Sequence, residues 1–278
     1  MDIESFLKRE EGCLIGRFGT IELEVILGIG SPAVLERNAG VFPNEKKSIE
    51  KWKTEYLNAI KNSEELAINW YKPLLKQENQ LLENIEWNGV KTFLRNYEPY
   101  YVSPDKHRWI DELNGKRVCV VSSFTETMKK QIEKGDKQIW PSNGKILDGK
   151  EWVFVQTGYS PILAKGRCGW TEARGEEINN WEEAVDSVVK EVLEKNVEVV
   201  LIGCGGLGMI IGNRLKQQDK KCIVMGGAIQ VLFGIKGKRW EKHEVIGKFW
   251  NDTWVWPAIN ETPNGAKEIE GACYWSSK

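Results

Sequence analysis

Two hydrophobic patterns alternate through the second half of the chain. Short unbroken apolar runs at Arg117–Ser122, Glu151–Gln156, Val197–Gly203 and Lys221–Met225 predict strands buried on both faces. Between them, apolar residues recur at helical spacing over Thr125–Lys134, Trp181–Lys195 and Leu207–Gln217, with a short helix over Ala228–Phe233. Apolar strands alternating with amphipathic helices predict an α/β fold: a mainly parallel, Rossmann-like sheet with helices on both faces.

The first half reads differently. Residues 2–11 predict a short helix with Ile3, Phe6 and Leu7 on one face, and Cys13–Gly16 a short strand. Thr20 is placed to cap a helix from Ile21 to about Leu27, before Gly28, Gly30 and Pro32 break the pattern. After Pro43-Asn44, the spacing of Ile49, Trp52, Tyr56, Leu57 and Ile60 predicts a long helix. Leu66, Ala67, Trp70 and Tyr71 predict a second helix, and about 77–85 a third. The expectation is one α/β domain over 1–278, with a helical insertion at about 44–86 and an aromatic-rich C-terminal segment at about 236–278.

Composition narrows the class. The chain has 278 residues, 41% hydrophobic and 28% charged, enough to bury a core without disulfides or metals. Its net charge of −1 gives no global sign of nucleic-acid binding. No apolar run approaches the ~20 residues of a membrane span. The acidic start Met1-Asp2-Ile3-Glu4-Ser5 lacks a signal-peptide pattern, so the expected location is cytoplasmic. Six cysteines without a CxxC pair, and two histidines, argue against a zinc site. Cys119, Cys204 and Cys222 lie in apolar runs and read as small core residues. Tryptophan is unusually frequent, at thirteen. Trp240, Phe249, Trp250, Trp254, Trp256, Tyr274 and Trp275 crowd the end of the chain, as core, as a homo-oligomer interface, or as platforms for sugar rings.

Four segments at strand ends carry candidate chemistry. Gly203-Cys204-Gly205-Gly206-Leu207-Gly208 follows the most apolar strand and opens a helix, where backbone N–H groups can meet a phosphate. The alternative is a turn for close strand–helix packing. Gly16-Arg17-Phe18-Gly19-Thr20-Ile21-Glu22 offers a guanidinium fork suited to a diphosphate, and a carboxylate in the first helical turn. Ser122-Ser123-Phe124-Thr125-Glu126-Thr127 places hydroxyls and a second carboxylate, Glu126, at the same edge; ordinary capping by Thr125 is the alternative. Gly226, Gly227 and Gln230 follow the next strand, and Lys238, Arg239 and Trp240 lie further on. There is no D-x-D motif; Asp2-Ile3-Glu4 has a D-x-E form at the terminus. A nicotinamide or flavin oxidoreductase is one reading of the G-x-G-x-x-G pattern. Against it stand the late position of the turn and the lack of an acidic residue after the next strand.

Together these segments resemble the GT-D-fold glycosyltransferases. That family has a nucleotide-binding α/β fold, uses nucleotide-activated sugars with a divalent metal, and carries an R-F-G-D-G-E-type segment that holds a D-x-E motif. The matching residues here are Arg17-Phe18-Gly19-Thr20-Ile21-Glu22, with Thr20 at the position of the Asp. The strand Val199–Gly203, the turn to Gly208 and Ile223–Gly227 match its C-terminal half. The resemblance covers the first 30 or so residues and about 117–235.

The resemblance implies transfer of a sugar from a nucleotide-sugar to a glycan or other acceptor. Arg17, Gly203, Gly205, Gly206 and Gly208 would hold the diphosphate, with Gly19, Thr20, Ser122, Ser123, Gly226, Gly227 and Gln230 as further donor contacts. Glu22 would ligate Mn²⁺ or Mg²⁺, position the donor or act as a base, and Glu126 is a further catalytic candidate. Lys238 and Arg239 would offset charge on the leaving group, and Trp240 and Trp254 would pack on the acceptor. A hydroxyl at Thr20 is a weaker ligand for a hard cation than a carboxylate. A sugar-nucleotide- or carbohydrate-binding protein without catalysis is the alternative reading.

Overall fold

The computed structural model describes residues 3–68 and 70–276, so Asp2 of the terminal D-x-E form lies outside the described residues. Seven strands form one sheet: β1 Cys13–Arg17, β2 Glu65–Ala67, β3 Val90–Thr92, β4 Arg117–Ser122, β5 Glu151–Gln156, β6 Val199–Gly203 and β7 Lys221–Val224. Their order is β3-β2-β1-β7-β6-β4-β5 and every neighbouring pair is parallel. The chain runs outward from β1 through β2 to β3, then crosses to the far half at β4. Ligands of open parallel sheets bind at the carboxyl ends of the strands, beside such a reversal.

The unbroken apolar strands serve two cores at once. Leu14, Cys119, Val121, Val200, Ile202, Cys222 and Val224 join one buried cluster, and Ile15, Val118, Val120, Val199, Leu201 and Ile223 join the other. Side chains alternate across a strand, so a strand apolar at every position is covered on both faces. On the first face lie the helices Pro32–Ala39, Lys46–Lys61, Trp181–Glu194 and Gly208–Lys216. The second is covered by Ile3–Leu7, Thr125–Lys134, Ala228–Leu232 and the aromatic C-terminal segment.

Segment 44–86 differs from the expected helical insertion. It holds the helices Lys46–Lys61 and Leu75–Asn84, but between them is β2, paired to β1 and β3. Leu66, Ala67, Trp70 and Tyr71 mimic helical spacing because a three-residue strand shows no period of its own. Pro32, which breaks the pattern of the preceding helix, starts a helix of its own, where its fixed φ and missing N–H are tolerated.

The C-terminal segment is mostly core rather than a display of aromatic rings. Trp254 is only 2% exposed, donates to the Ile139 carbonyl at 2.9 Å and meets Trp140 edge-on at 5.1 Å. Glu261 reaches back to the start of the helix Thr125–Lys134. Its carboxylate accepts the Glu126 N–H at 2.7 Å and the Thr127 N–H at 3.2 Å, and bonds the Thr127 hydroxyl. A tail carboxylate therefore fills the capping role expected of Thr125, whose hydroxyl instead bonds Gln156. No helix of the described residues is long and apolar enough to cross a membrane.

Candidate active site

A cavity of about 790 Å³ opens at the carboxyl ends of the strands. Arg17 ends β1, Ser122 and Ser123 follow β4, Thr157 follows β5, Gly203 ends β6, and Met225-Gly226-Gly227 follows β7; all border it. Its volume lies in the range of small-molecule sites.

Arg17 is its central cation. The guanidinium carbon lies 4.6 Å from the ring centre of Trp70, a cation–π distance. The fork crosses toward β7: a Cβ on Gly226 would stand 2.9 Å from the Arg17 Nη2 atom. Gly226 also has φ +58°, so glycine is required there twice over. The next residue repeats the device, since a Cβ on Gly227 would stand 2.8 Å from the Tyr274 ring. One glycine thus admits the arginine of β1, and the other admits the tail. Among the described residues no carboxylate forms an ion pair with Arg17.

Gly19 and Glu22 form a unit. Gly19 precedes the helix Thr20–Ile26, and a Cβ on it would stand 1.8 Å from Glu22 Oε2. The Glu22 carboxyl is folded back on its own helix start, 7% exposed, while the Tyr56 hydroxyl accepts the Gly19 N–H at 3.4 Å. Burial raises the Glu22 pKa, against the pull of its own backbone N–H and of Arg17. Thr20 and Glu24 border the same cavity, which wraps around this helix start, so Glu22 and Glu24 both reach it despite their angular separation.

The Gly203–Gly208 turn is packed by protein. A Cβ on Gly205 (φ +46°) would stand 2.6 Å from the Ala39 carbonyl oxygen, and one on Gly206 2.8 Å from Val41. The Gly206 carbonyl accepts the Trp52 indole N–H at 2.9 Å. Gly203 would meet Ile229 at 2.5 Å, and Gly208 would meet Val224 at 3.1 Å. Gly203 and Gly205 border the cavity; Gly206 and Gly208 are not part of its wall. The packing alternative thus accounts for these glycines.

Other expected residues divide. Ser122 and Ser123 are at the wall, but their hydroxyl oxygens already accept the Phe124 N–H at 3.2 Å and the Tyr159 hydroxyl at 2.9 Å. Gln230 borders the cavity while its amide ties the Lys236 and Tyr274 carbonyls, each at 2.8 Å. Arg239 and Trp240 are at the wall, and Arg239 is held by the Tyr274 hydroxyl and Glu270, both at 2.9 Å. Three expectations fail on position. Glu126 pairs with Lys130 at 2.8 Å and bonds Asn260, away from the cavity. Lys238 is turned to the Gly271 carbonyl at 3.0 Å, and Trp254 is in the core. The Cys204 thiol is at the wall but burial pushes its pKa up to about 12, which makes it a poor nucleophile.

Four wall residues carry no functional expectation from the sequence. Trp70 and Tyr71 follow β2, Arg37 ends the helix Pro32–Ala39, and Glu98 joins two short turns after β3. Arg37 forms no ion pair among the described residues; its Nε donates to Asn38 at 2.9 Å. Burial pushes the Glu98 pKa up to about 7, against the pull of Arg17 and Arg95. With Glu22 and Glu98 both shifted toward the neutral acid, and Glu270 held by Arg239, the arginines at positions 17 and 37 favour an anion.

Among the described residues the wall holds no ready-made group of three metal-ligating side chains. Among the described residues, the side chains grouped closely enough to hold a metal are Glu4, His107 and Glu112, and none of these borders the cavity. The Glu22 carboxyl is engaged with its own helix start, and Thr20 supplies only a hydroxyl. The buried atoms Ser160 Oγ, Trp170 Nε1 and Gln230 Oε1, all of wall residues, have no partner among the described residues. Buried polar atoms are almost always completed by protein, water or ligand.

No protein-family profile matches the sequence, and no curated protein matches it significantly. Solved structures do resemble the fold. One is described as the highly conserved domain of unknown function 1792, with a distinct glycosyltransferase fold; it is 12% identical, over 97% of this chain and 88% of that chain, with a TM-score of 0.51. Another is described as a new glycosyltransferase of that domain type from Streptococcus sanguinis, 12% identical over 82% of this chain and 81% of that chain, with a TM-score of 0.46. The fold is thus similar to a glycosyltransferase fold, as the sequence resemblance implied.

Proposed function

We propose that this protein is a glycosyltransferase that takes a nucleotide-sugar into the cavity at the β1–β7 edge. The observation that carries this reading is Arg17: a guanidinium held by a ring and a glycine, with no ion pair among the described residues, beside a cavity large enough for the donor. Such a fork takes two oxygens of a diphosphate. Arg37 adds a second charge, and both groups offset the negative charge that builds on a departing nucleoside diphosphate. Trp70, Tyr71, Trp240 and Tyr274 give the cavity the ring faces that sugars and bases pack on. In this reading the arginines supply part of the charge that a metal would otherwise supply.

The packing of the Gly203–Gly208 turn on Ala39 and Val41 accounts for its glycines without a dinucleotide, which counts against the oxidoreductase reading. A non-catalytic sugar-nucleotide binder remains the second reading, favoured by the folded-back Glu22 and the absence of a metal set around it among the described residues.

The test is a thermal-shift panel of uridine, guanosine, adenosine and cytidine diphosphate sugars, followed by assays for nucleoside diphosphate release with mono- and oligosaccharide acceptors. A ligand at 100 times its dissociation constant adds about 2.7 kcal/mol of stability. A shift with release of nucleoside diphosphate supports the transferase. A shift without release across the acceptors supports the binder, and no shift with any donor overturns both.

A further inference from the structure

We propose that Ser160 and Trp170 form a subsite for a neutral sugar ring, hydrogen-bonding its oxygens at the end of the cavity beside β4 and β5. The inference rests on the transferase reading and assigns the part of the cavity that the arginines leave unexplained. The wall residues that follow β4 and β5, from Ser122 to Trp170, include no Asp, Glu, Lys or Arg.

The two polar atoms are uncommitted where that is costly. Ser160 is 0% and Trp170 3% exposed, yet Ser160 Oγ and Trp170 Nε1 have no hydrogen-bond partner among the described residues. A buried polar atom left unpaired destabilises the fold, so a partner is expected. Ser160 precedes the short helix Pro161–Ala164, where a serine hydroxyl ordinarily caps a backbone N–H. It makes no such bond here, because the Ser160 carbonyl takes the Leu163 and Ala164 N–H groups at 3.0 and 2.8 Å.

The loop sets the two residues side by side. Tyr159 and Gly169 pair as a parallel bridge, with the Tyr159 N–H on the Cys168 carbonyl at 2.9 Å. Ser160 and Trp170 each follow that pair by one residue, so their backbones start about one strand spacing, ~5 Å, apart. Gly158 fixes the approach: a Cβ there would stand 2.4 Å from the Trp170 Cα. The Tyr159 hydroxyl donates to Ser123 at 2.9 Å, which ties the loop to the end of β4.

Strand order separates this place from the anion site. The Arg17 fork stands beside Gly226 at the end of β7, and β6, β4 and β5 follow in the sheet. At about 4.8 Å per strand, β4 and β5 lie roughly 10–15 Å from β7. A diphosphate on Arg17 leaves this end for the sugar it carries or for the acceptor ring beyond it. An indole N–H only donates, and a serine hydroxyl donates and accepts. Sugar hydroxyls also do both, so adjacent oxygens of one ring can satisfy the pair. The helix Pro32–Ala39, which carries Arg37, packs beside Pro161–Ala164, so an anion is the competing occupant.

The test measures, by calorimetry, binding of the panel's best nucleotide-sugar and of its nucleoside diphosphate to wild type, Ser160→Ala and Trp170→Phe. Both variants should hold the nucleoside diphosphate within about twofold of wild type. If the ring is the transferred sugar, affinity for the nucleotide-sugar falls by about 5- to 50-fold in each variant. If the ring is the acceptor, nucleotide-sugar affinity is kept and the acceptor KM rises by a similar factor. Trp170→Phe also trims a core ring, so Ser160→Ala, which removes one oxygen, decides. Unliganded Ser160→Ala should melt no lower than wild type, because the oxygen it lacks bonds nothing in the fold. A lower melting temperature would show that the fold completes the hydroxyl, and would overturn the subsite. Nucleoside diphosphate affinity weakened more than about fivefold would put a phosphate or base there, overturning the sugar assignment and leaving the transferase reading intact. Unchanged donor affinity and acceptor KM in both variants would overturn the subsite in the same way. If wild-type protein binds no donor, the transferase reading falls and takes this inference with it.

Discussion

Two glycine clusters close neighbouring strands of this sheet and do different work. The cluster after β6, Gly203–Gly208, has the denser motif, but the space its glycines leave is filled by Ala39, Val41, Ile229 and Val224. The pair after β7, Gly226-Gly227, is shorter, and its space is filled by Arg17 and Tyr274 at the cavity. A missing Cβ is room for something; what fills it decides whether the glycine serves the fold or the site.

The largest expected effect separates the two clusters through stability. Gly205→Ala meets a backbone carbonyl at 2.6 Å and a positive φ, so neither side can yield easily. Overpacking and left-handed backbone together should cost about 2–4 kcal/mol, read as a fall in the chemical-denaturation midpoint. Next comes Arg17→Ala, which should remove the roughly 2.7 kcal/mol of stabilisation from a donor at 100 times its dissociation constant, with little change in the unliganded melting temperature. A normal ligand shift in this variant would place the anion elsewhere.

Gly226→Ala is the intermediate case. Its neighbour at 2.9 Å is the end of a flexible arginine, so the fold loses only about 1–2 kcal/mol for the left-handed backbone. The donor-induced shift should shrink because the fork is displaced. If Gly226→Ala costs as much stability as Gly205→Ala while donor binding persists, the contrast between the clusters collapses.

Smaller effects follow from the buried carboxyl groups. Glu98 prefers the protonated form when folded, so its contribution is full below the unfolded carboxylate value of about 4.3 and is lost as pH rises through about 7. The difference in stability between wild type and Glu98→Gln should therefore vary across that window and level off above it, by denaturation at a series of pH values. The smallest expected effect is that of a chelator. EDTA should leave the donor-induced shift within experimental error, and its loss on chelation would restore a metal to the site.

The strands on the far side of the sheet were legible because β4, β6 and β7 are apolar at successive positions, a pattern few other structures need. β2 and β3 were not, because three residues carry no periodicity. Within the site, Arg17, Gly19 and Glu22 could be read because they are close in sequence at a strand end. Glu98 and Arg37 could not, since they reach the cavity from segments with no motif, brought there by strand order. Glu126 and Lys238 show the opposite failure. Each follows or lies near a strand edge, but its side chain bonds a partner away from the cavity, Lys130 for Glu126 and the Gly271 carbonyl for Lys238.

A crystal structure with the best donor of the panel tests most directly whether the anion site lies on Arg17 and the Gly226-Gly227 pair. A diphosphate is expected within hydrogen-bonding distance of the Arg17 guanidinium, with Ala39 and Val41 still seated on Gly205 and Gly206. Phosphate oxygens on the Gly205 and Gly206 N–H groups, with Ala39 and Val41 displaced, would contradict it.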